Sequence, residues 1–297
     1  MIDVNAIYEP ADLAEAVRLL GEQTDAMVIC GGSDMLIQNR EGRYRDKAYV
    51  SVRHLPELRG IRETPDGRLM IGAASSFTEI MESEAVQRIC PLLAKAVSQV
   101  GAVQIRNIGT IGGNLCNAVP SADSACAVLV HEAKLHIAGA KGVRVVPVKD
   151  FYRGGGKTAV ARDEVLTAIE IGPEAAAGYS GHYTKYAMRK AMDIATVGFG
   201  ILLKLSPDKR QIADVRVAYA SLAPRPVRGF KLEAALRGMT VGSEIVDVIH
   251  QTCLSDVNPR EGRRVSKNFK EKIVREVVKR AVNDVIVAQG GNHVYGS

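Results

Sequence analysis

The chain of 297 residues is defined first by what it does not contain. No apolar run approaches the roughly 18 residues that a membrane helix needs, which argues against a membrane protein. The first residues, MIDVNAIYEPAD, hold neither a basic stretch nor an apolar one, so no secretory leader is expected and the reading is cytoplasmic. Five cysteines (Cys30, Cys90, Cys116, Cys126 and Cys253) include no CxxC pair, and the six histidines show no metal spacing. Clustered iron or zinc wants tighter spacing, so the cysteines read as small buried hydrophobes and no metal site is expected. GxGxxG and GxSxG are both missing, and RGGGKT (Arg153 to Thr158) lacks the earlier glycine of a phosphate loop. No set of acid, base and nucleophile emerges, so any redox chemistry must come from a cofactor.

Charge is present and unevenly placed. Hydrophobic residues make up 46% and charged ones 24%, an ordinary globular composition that excludes a disordered chain. The net charge is +6, and the segment from Arg260 to Arg280 carries nine basic residues against three acidic ones, the whole of that excess. Apolar positions Phe269, Ile273, Val277, Val278, Ala281, Val282 and Val285 recur there at helical spacing. No aromatic-basic interleaving accompanies them, so nucleic acid is not expected, and the basic face is solvated or turned to a partner.

Two glycine pairs stand out: ICGGSDML (Ile29 to Leu36) after the apolar run Ala26 to Cys30, and TIGGN (Thr110 to Asn114). A pyrophosphate needs backbone N–H groups that no Cβ blocks, and each pair has neighbouring Ser, Thr or Asn donors. Asp123, nine residues past Asn114, suits a carboxylate that accepts from sugar hydroxyls. Two walls of one phosphate cradle and two ordinary tight turns remain equally open on the residues alone. The stretch from Thr110 to Cys126 suits neither strand nor helix. Gly154 to Gly156 reads as a surface loop, with closure over a ligand as the functional alternative.

Periodicity gives a helix from about Ala11 to Glu22 and strands at Ala26–Cys30, Lys47–Val52 and Arg68–Gly72. Helices follow at Phe77–Ile89 and Leu92–Val100, then β segments at Ala133–Ala138, Val143–Val148 and Glu164–Ile171. The small-residue stretch Pro173 to Gly181 reads as a linker. Beyond it lie strands at His182–Met188, Thr196–Leu205 and Ile212–Ala220, and helices at Phe230–Leu236, Val241–Thr252 and Ser266–Val287. The fold class is α+β, with an N-terminal domain and a C-terminal domain of antiparallel strands followed by helices.

GGSDMLIQ, AYVSVRHLPELRGI, IGAASSFTEI, QIRNIGTIGGNLCNAVPSADSA, KYAMRKAMDIATVG (Lys185 to Gly198) and RRVSKNF (Arg263 to Phe269) appear in this order. Together they resemble the FAD-binding subunit of the molybdenum hydroxylases, the xanthine dehydrogenase family, and most of all its bacterial xanthine dehydrogenase type. The resemblance covers nearly the whole chain. It implies a two-subdomain FAD-binding domain at 1–175 and, at 180–290, a domain of the carbon monoxide dehydrogenase type with a three-stranded antiparallel sheet and helices.

By position, the resemblance places Val28, Ile29, Cys30, Gly31, Gly32, Ser33, Asp34 and Met35 around the FAD pyrophosphate through their backbone. Thr110, Ile111, Gly112, Gly113 and Asn114 form the second wall, Asp123 lies near the adenosine ribose, Leu166 packs at the flavin and Lys185 at its polar edge. It implies FAD, a molybdopterin-binding large subunit, a small subunit with two 2Fe-2S clusters, and NAD or another electron acceptor; the double glycine cradle, with no His or Cys placed for a flavin bond, makes one non-covalent FAD the expectation. Three departures stand out: Val100 where an aromatic often meets adenine, Ser33 in place of Thr or His, and no cysteine insert between Cys116 and Cys126. The last implies no cluster in this chain. Carbon monoxide, nicotinate or aldehyde complexes are alternatives, and a flavin-free nucleotide-binding scaffold is the alternative from another class.

Overall fold

A computed structural model describes residues 2–262 and 265–295. Arg263 and Arg264, part of the basic segment and of the RRVSKNF motif, lie outside the described residues.

The chain opens with β1 (Val4–Tyr8), α1 (Leu13–Glu22), β2 (Ala26–Ile29), α2 (Met35–Arg40) and β3 (Lys47–Ser51). The three strands form a parallel sheet in the order β1-β3-β2. Asp12 caps α1 by accepting from the Glu15 N–H at 2.8 Å, and Ala16, Val17 and Leu20 are the helix face that packs on the sheet. β1 was not expected from the sequence: its strict alternation is cut short by Glu9 and Pro10.

Next come β4 (Ile61–Glu63), β5 (Leu69–Gly72), α3 (Phe77–Glu82), α4 (Glu84–Ile89), α5 (Pro91–Ser98), α6 (Val103–Ile108), α7 (Ile111–Asn117) and α8 (Asp123–Val130). They are followed by β6 (Lys134–Gly139), β7 (Gly142–Pro147), the small hairpin β8 (Tyr152–Gly154) and β9 (Lys157–Thr158), and β10 (Val165–Ile171). β10 closes an antiparallel sheet in the order β4-β5-β10-β6-β7. The expected helix from Phe77 to Ile89 is two helices, because Ser83 leaves helical geometry (ψ 118°) and caps the second by accepting from Val86. The sequence carries no helical signal at α8. All eight of its residues are buried, so it carries no polar stripe from which a helical period could be read.

The last part contains β11 (Ser180–Tyr186), β12 (Val197–Leu205), β13 (Ile212–Ala220), β14 (Val227–Arg228), α9 (Phe230–Leu236), α10 (Glu244–Thr252) and α11 (Lys267–Ala288). The sheet is antiparallel, with three long strands as expected, extended at one edge by the two-residue β14. Ser266 caps α11 by accepting from Phe269 N–H. Ile273, Val274, Val277, Val278, Ala281 and Val282 bury against β12 and β11, but Phe269, expected in that stripe, is 44% exposed. No helix among the described residues is long and apolar enough to cross a membrane.

Candidate functional site

A cleft of about 930 Å³ opens where the parallel sheet, α6 to α8, β10 and the β11–β12 connection meet. Of the expected residues, Val28 to Met35, Thr110, Gly112 to Asn114, Asp123, Leu166 and Lys185 all line it. Ile111 does not: it is fully buried in the core under α7, because the first helical turn rotates it away from the cleft.

The two glycine loops reach the cleft by different means. After β2 the chain turns through Gly32, whose φ of +66° is the left-handed conformation that glycine adopts without a Cβ penalty. Gly31 is there for contact: a Cβ on it would lie 2.0 Å from the Ile108 carbonyl oxygen. Among the described residues, no protein acceptor takes the N–H groups of Gly32, Ser33, Asp34 or Met35. Gly32, Ser33 and Met35 are half-buried and Asp34 is exposed, so these four amides at the cleft wall are open donors for a ligand. The Asp34 carboxylate accepts from Asn117 Nδ2 at 2.9 Å and from Gln38, tying this loop to α7.

TIGGN is the N-cap and first turn of α7, not an irregular loop, and its donors are not a free set. Ile111 N–H bonds Ser75 O at 3.1 Å, Gly112 N–H bonds Ala73 O at 2.9 Å and Asn114 N–H bonds Thr110 O at 3.0 Å. The Thr110 hydroxyl caps the helix by accepting from Gly113 N–H at 3.2 Å. Gly112 is buried, and a Cβ there would lie 2.6 Å from Ala73 O. Gly113 faces outward, and its Cβ would meet only Thr110 Oγ1, at 3.0 Å. The second wall therefore offers space at Gly113 and side chains at Thr110 and Asn114; the row of unpartnered amides belongs to the first.

Asp123 lines the cleft and begins α8 as half of a buried ion pair, Oδ2 accepting from Lys185 Nζ at 2.8 Å and Oδ1 from Tyr183 OH at 2.6 Å, which leaves each oxygen a further lone pair. Burial pushes its carboxyl above the usual range, while the Lys185 ammonium and the Tyr183 hydroxyl pull it back. Lys185 donates a second bond to Gln99 O at 2.9 Å. Leu166 sits at a register shift in the β10–β6 ladder, which turns it to the cleft.

Cys30 and Cys116, half-buried, pack against the hydrophobic core and also line the cleft, while Cys90, Cys126 and Cys253 are buried as expected. Burial raises the Cys30 thiol and pushes Cys116 up to about 12, so both stay protonated and non-nucleophilic at neutral pH. The Gly154–Gly156 segment is the tip of the β8–β9 hairpin. It is anchored to α7's end by Gly156 N–H on Ala118 O at 3.1 Å, with Gly155 and Gly156 at the cleft. Sequence reasoning missed Met192, Asp193 and Ile194, which close one side of the cleft from the β11–β12 connection. A mixed, non-periodic segment carries no signal of that placement.

Fold and cleft together define a protein that binds a long phosphate-containing cofactor between two subdomains. Residues 3–174 match the family described as the FAD binding domain in molybdopterin dehydrogenase, and residues 182–285 match the CO dehydrogenase flavoprotein C-terminal domain. The chain belongs to this family: it is the FAD-binding flavin subunit of a molybdenum hydroxylase. It is similar to the xanthine dehydrogenase FAD-binding subunit of Escherichia coli O157:H7, 36% identical over 291 residues that span 98% of this chain and 99% of that one. The carbon monoxide dehydrogenase medium chain of Hydrogenophaga pseudoflava is 30% identical over 277 residues, 93% and 95% of the two chains. The solved carbon monoxide dehydrogenase of that organism, lacking the Mo-pyranopterin moiety, superposes with a TM-score of 0.91 at 29% identity, covering 97% of this chain and 99% of that one. The residues fit FAD on their own terms, since the unpartnered amide row suits a pyrophosphate and the cleft volume suits a dinucleotide.

Proposed function

We propose that this subunit carries electrons from iron-sulfur clusters of a small partner subunit to NAD or another acceptor, while a molybdopterin-binding large subunit oxidises the substrate. FAD bound in the cleft supplies the ability to exchange electrons one or two at a time. The chain's own residues hold and orient it. The Gly32–Met35 amides take the pyrophosphate, Gly113 leaves room beside it, and Thr110 and Asn114 supply side-chain polar atoms. Leu166 and Val28 give apolar surface to the rings, and Lys185 places a positive charge at a polar edge. The single observation that carries this reading is the row of four unpartnered amides from Gly32 to Met35 at the cleft wall. The protonated state of Cys30 and Cys116 supports non-covalent attachment, and acid precipitation should leave the flavin in the supernatant.

Xanthine or a related purine is the proposed substrate of the assembled enzyme, supported by the higher identity to the xanthine dehydrogenase subunit than to the carbon monoxide enzyme. Carbon monoxide, nicotinate or aldehyde oxidation is the second reading, since substrate choice lies in the large subunit. The test is reconstitution. The isolated chain should accept electrons from a small reductant without purine-dependent NAD reduction, and adding both partner subunits should restore that reduction. Purine oxidation by this chain alone would overturn the assignment.

A further inference from the structure

The fold makes specific provision for the Tyr183 hydroxyl, which lies behind the cleft wall. Tyr183 and Lys185 are two residues apart on β11, so both point to the same face, towards the start of α8. Tyr183 is 3% exposed and does not reach the cleft. Its hydroxyl donates to Asp123 Oδ1 at 2.6 Å, and the other carboxylate oxygen holds Lys185 Nζ at 2.8 Å. Opposite, β12 carries Gly198, where a Cβ would stand 3.2 Å from the Tyr183 oxygen and 2.9 Å from the Ala220 Cβ. The sheet thus keeps space for this hydroxyl at the cost of a strand glycine.

We infer that Tyr183 is a positioning residue that fixes Asp123 from behind the cleft wall and, through Asp123, holds the Lys185 ammonium towards the bound cofactor. Two of the three Lys185 protons are committed, to Asp123 and to Gln99 O, and that geometry directs what remains of its donor capacity into the cleft. The Tyr183 dipole also offsets part of the Asp123 charge. Without it the carboxylate is more negative and the ammonium less fixed, and both changes make electron addition in the cleft harder. The inference rests on the reading that Lys185 addresses FAD.

The test uses the full chain as apoprotein, with Tyr183→Phe, Lys185→Gln and the double variant. The readouts are FAD dissociation constant and midpoint potential at pH 8. A hydrogen bond to a charged group is worth enough that Tyr183→Phe should weaken FAD about tenfold. A similar tenfold bias between oxidised and reduced states would lower the two-electron potential by ~30 mV. Lys185→Gln should do at least as much, and the double variant should match Lys185→Gln alone within about twofold, since Tyr183 acts through Lys185. Unchanged affinity and potential in Tyr183→Phe would overturn the inference, as would effects that multiply in the double variant. Should Tyr183→Phe fail to fold, Gly198→Ala, whose Cβ would stand 3.2 Å from the Tyr183 oxygen, displaces the hydroxyl instead: loss of affinity that does not add to Lys185→Gln is expected, and unchanged or additive effects would overturn the inference. Loss of FAD binding by the unaltered chain would instead overturn the reading of the cleft.

Discussion

The same dipeptide does two jobs in this molecule. In the first loop Gly31 and Gly32 shape a turn whose next amides have no protein partner among the described residues, so the backbone itself offers donors to the cleft. In the second, Gly112 and Gly113 sit in the first turn of α7, where three of four nearby amides already have protein carbonyls. There Gly112 lets the helix press against Ala73, and Gly113 keeps the cleft side bare. A glycine pair reports that something approaches closely. Only the hydrogen-bond ledger of its neighbours says whether the visitor is a ligand or the protein's own backbone.

Substitutions can break this contrast. Gly31→Val should have the largest effect, because any Cβ collides with the Ile108 carbonyl and the two walls must separate. A loss of 3 kcal/mol or more is expected, with no FAD retained, as measured by denaturant unfolding and flavin absorbance. Acid should act at the C-terminal end of α8, on a residue that does not line the cleft. Burial holds His131 at about 4, so it is neutral in the folded chain and takes up a proton on unfolding below pH 6.5. The unfolded state then binds more protons, so the contribution, present in full above pH 6.5, is lost as pH falls from 6.5 to 4, about 3 kcal/mol in total. His131→Gln should flatten stability against pH across that window.

Gly113→Val sharpens the contrast most cleanly. The added Cβ meets only Thr110 Oγ1 and helix propensity does not oppose the change, so the melting temperature should hold within a few degrees. FAD affinity should fall about 100-fold, the equivalent of ~2.7 kcal/mol, and full occupancy would remove Gly113 from the site. Gly112→Ala should do the reverse on a smaller scale. It should cost about 1–3 kcal/mol of stability from the clash with Ala73, with the affinity of the folded fraction changed less than about threefold.

Much of this architecture was readable from residue patterns, and the gaps have physical causes. The strand expected at Thr196–Leu205 is found at Val197–Leu205, and the helix expected from Ser266 begins at Lys267 with Ser266 as its cap, because local signals mark those boundaries. α8 gave no period because it is buried on every side, and β14 is too short to carry one. Within the site, both glycine pairs were visible. The Tyr183–Asp123–Lys185 cluster was not, since its members meet across 60 and 62 residues of chain. Nor could the sequence reveal that TIGGN spends its amides on Ser75, Ala73 and Thr110, a fact that exists only once α7 packs.

Amide hydrogen exchange with and without FAD tests the central claim most directly. Saturating FAD should slow exchange strongly at Gly32, Ser33, Asp34 and Met35, which have no protein acceptor among the described residues. Ile111, Gly112 and Asn114 should change little, being bonded already. Protection gained mainly at Ile111 to Asn114, with the first loop unaffected, would contradict the account.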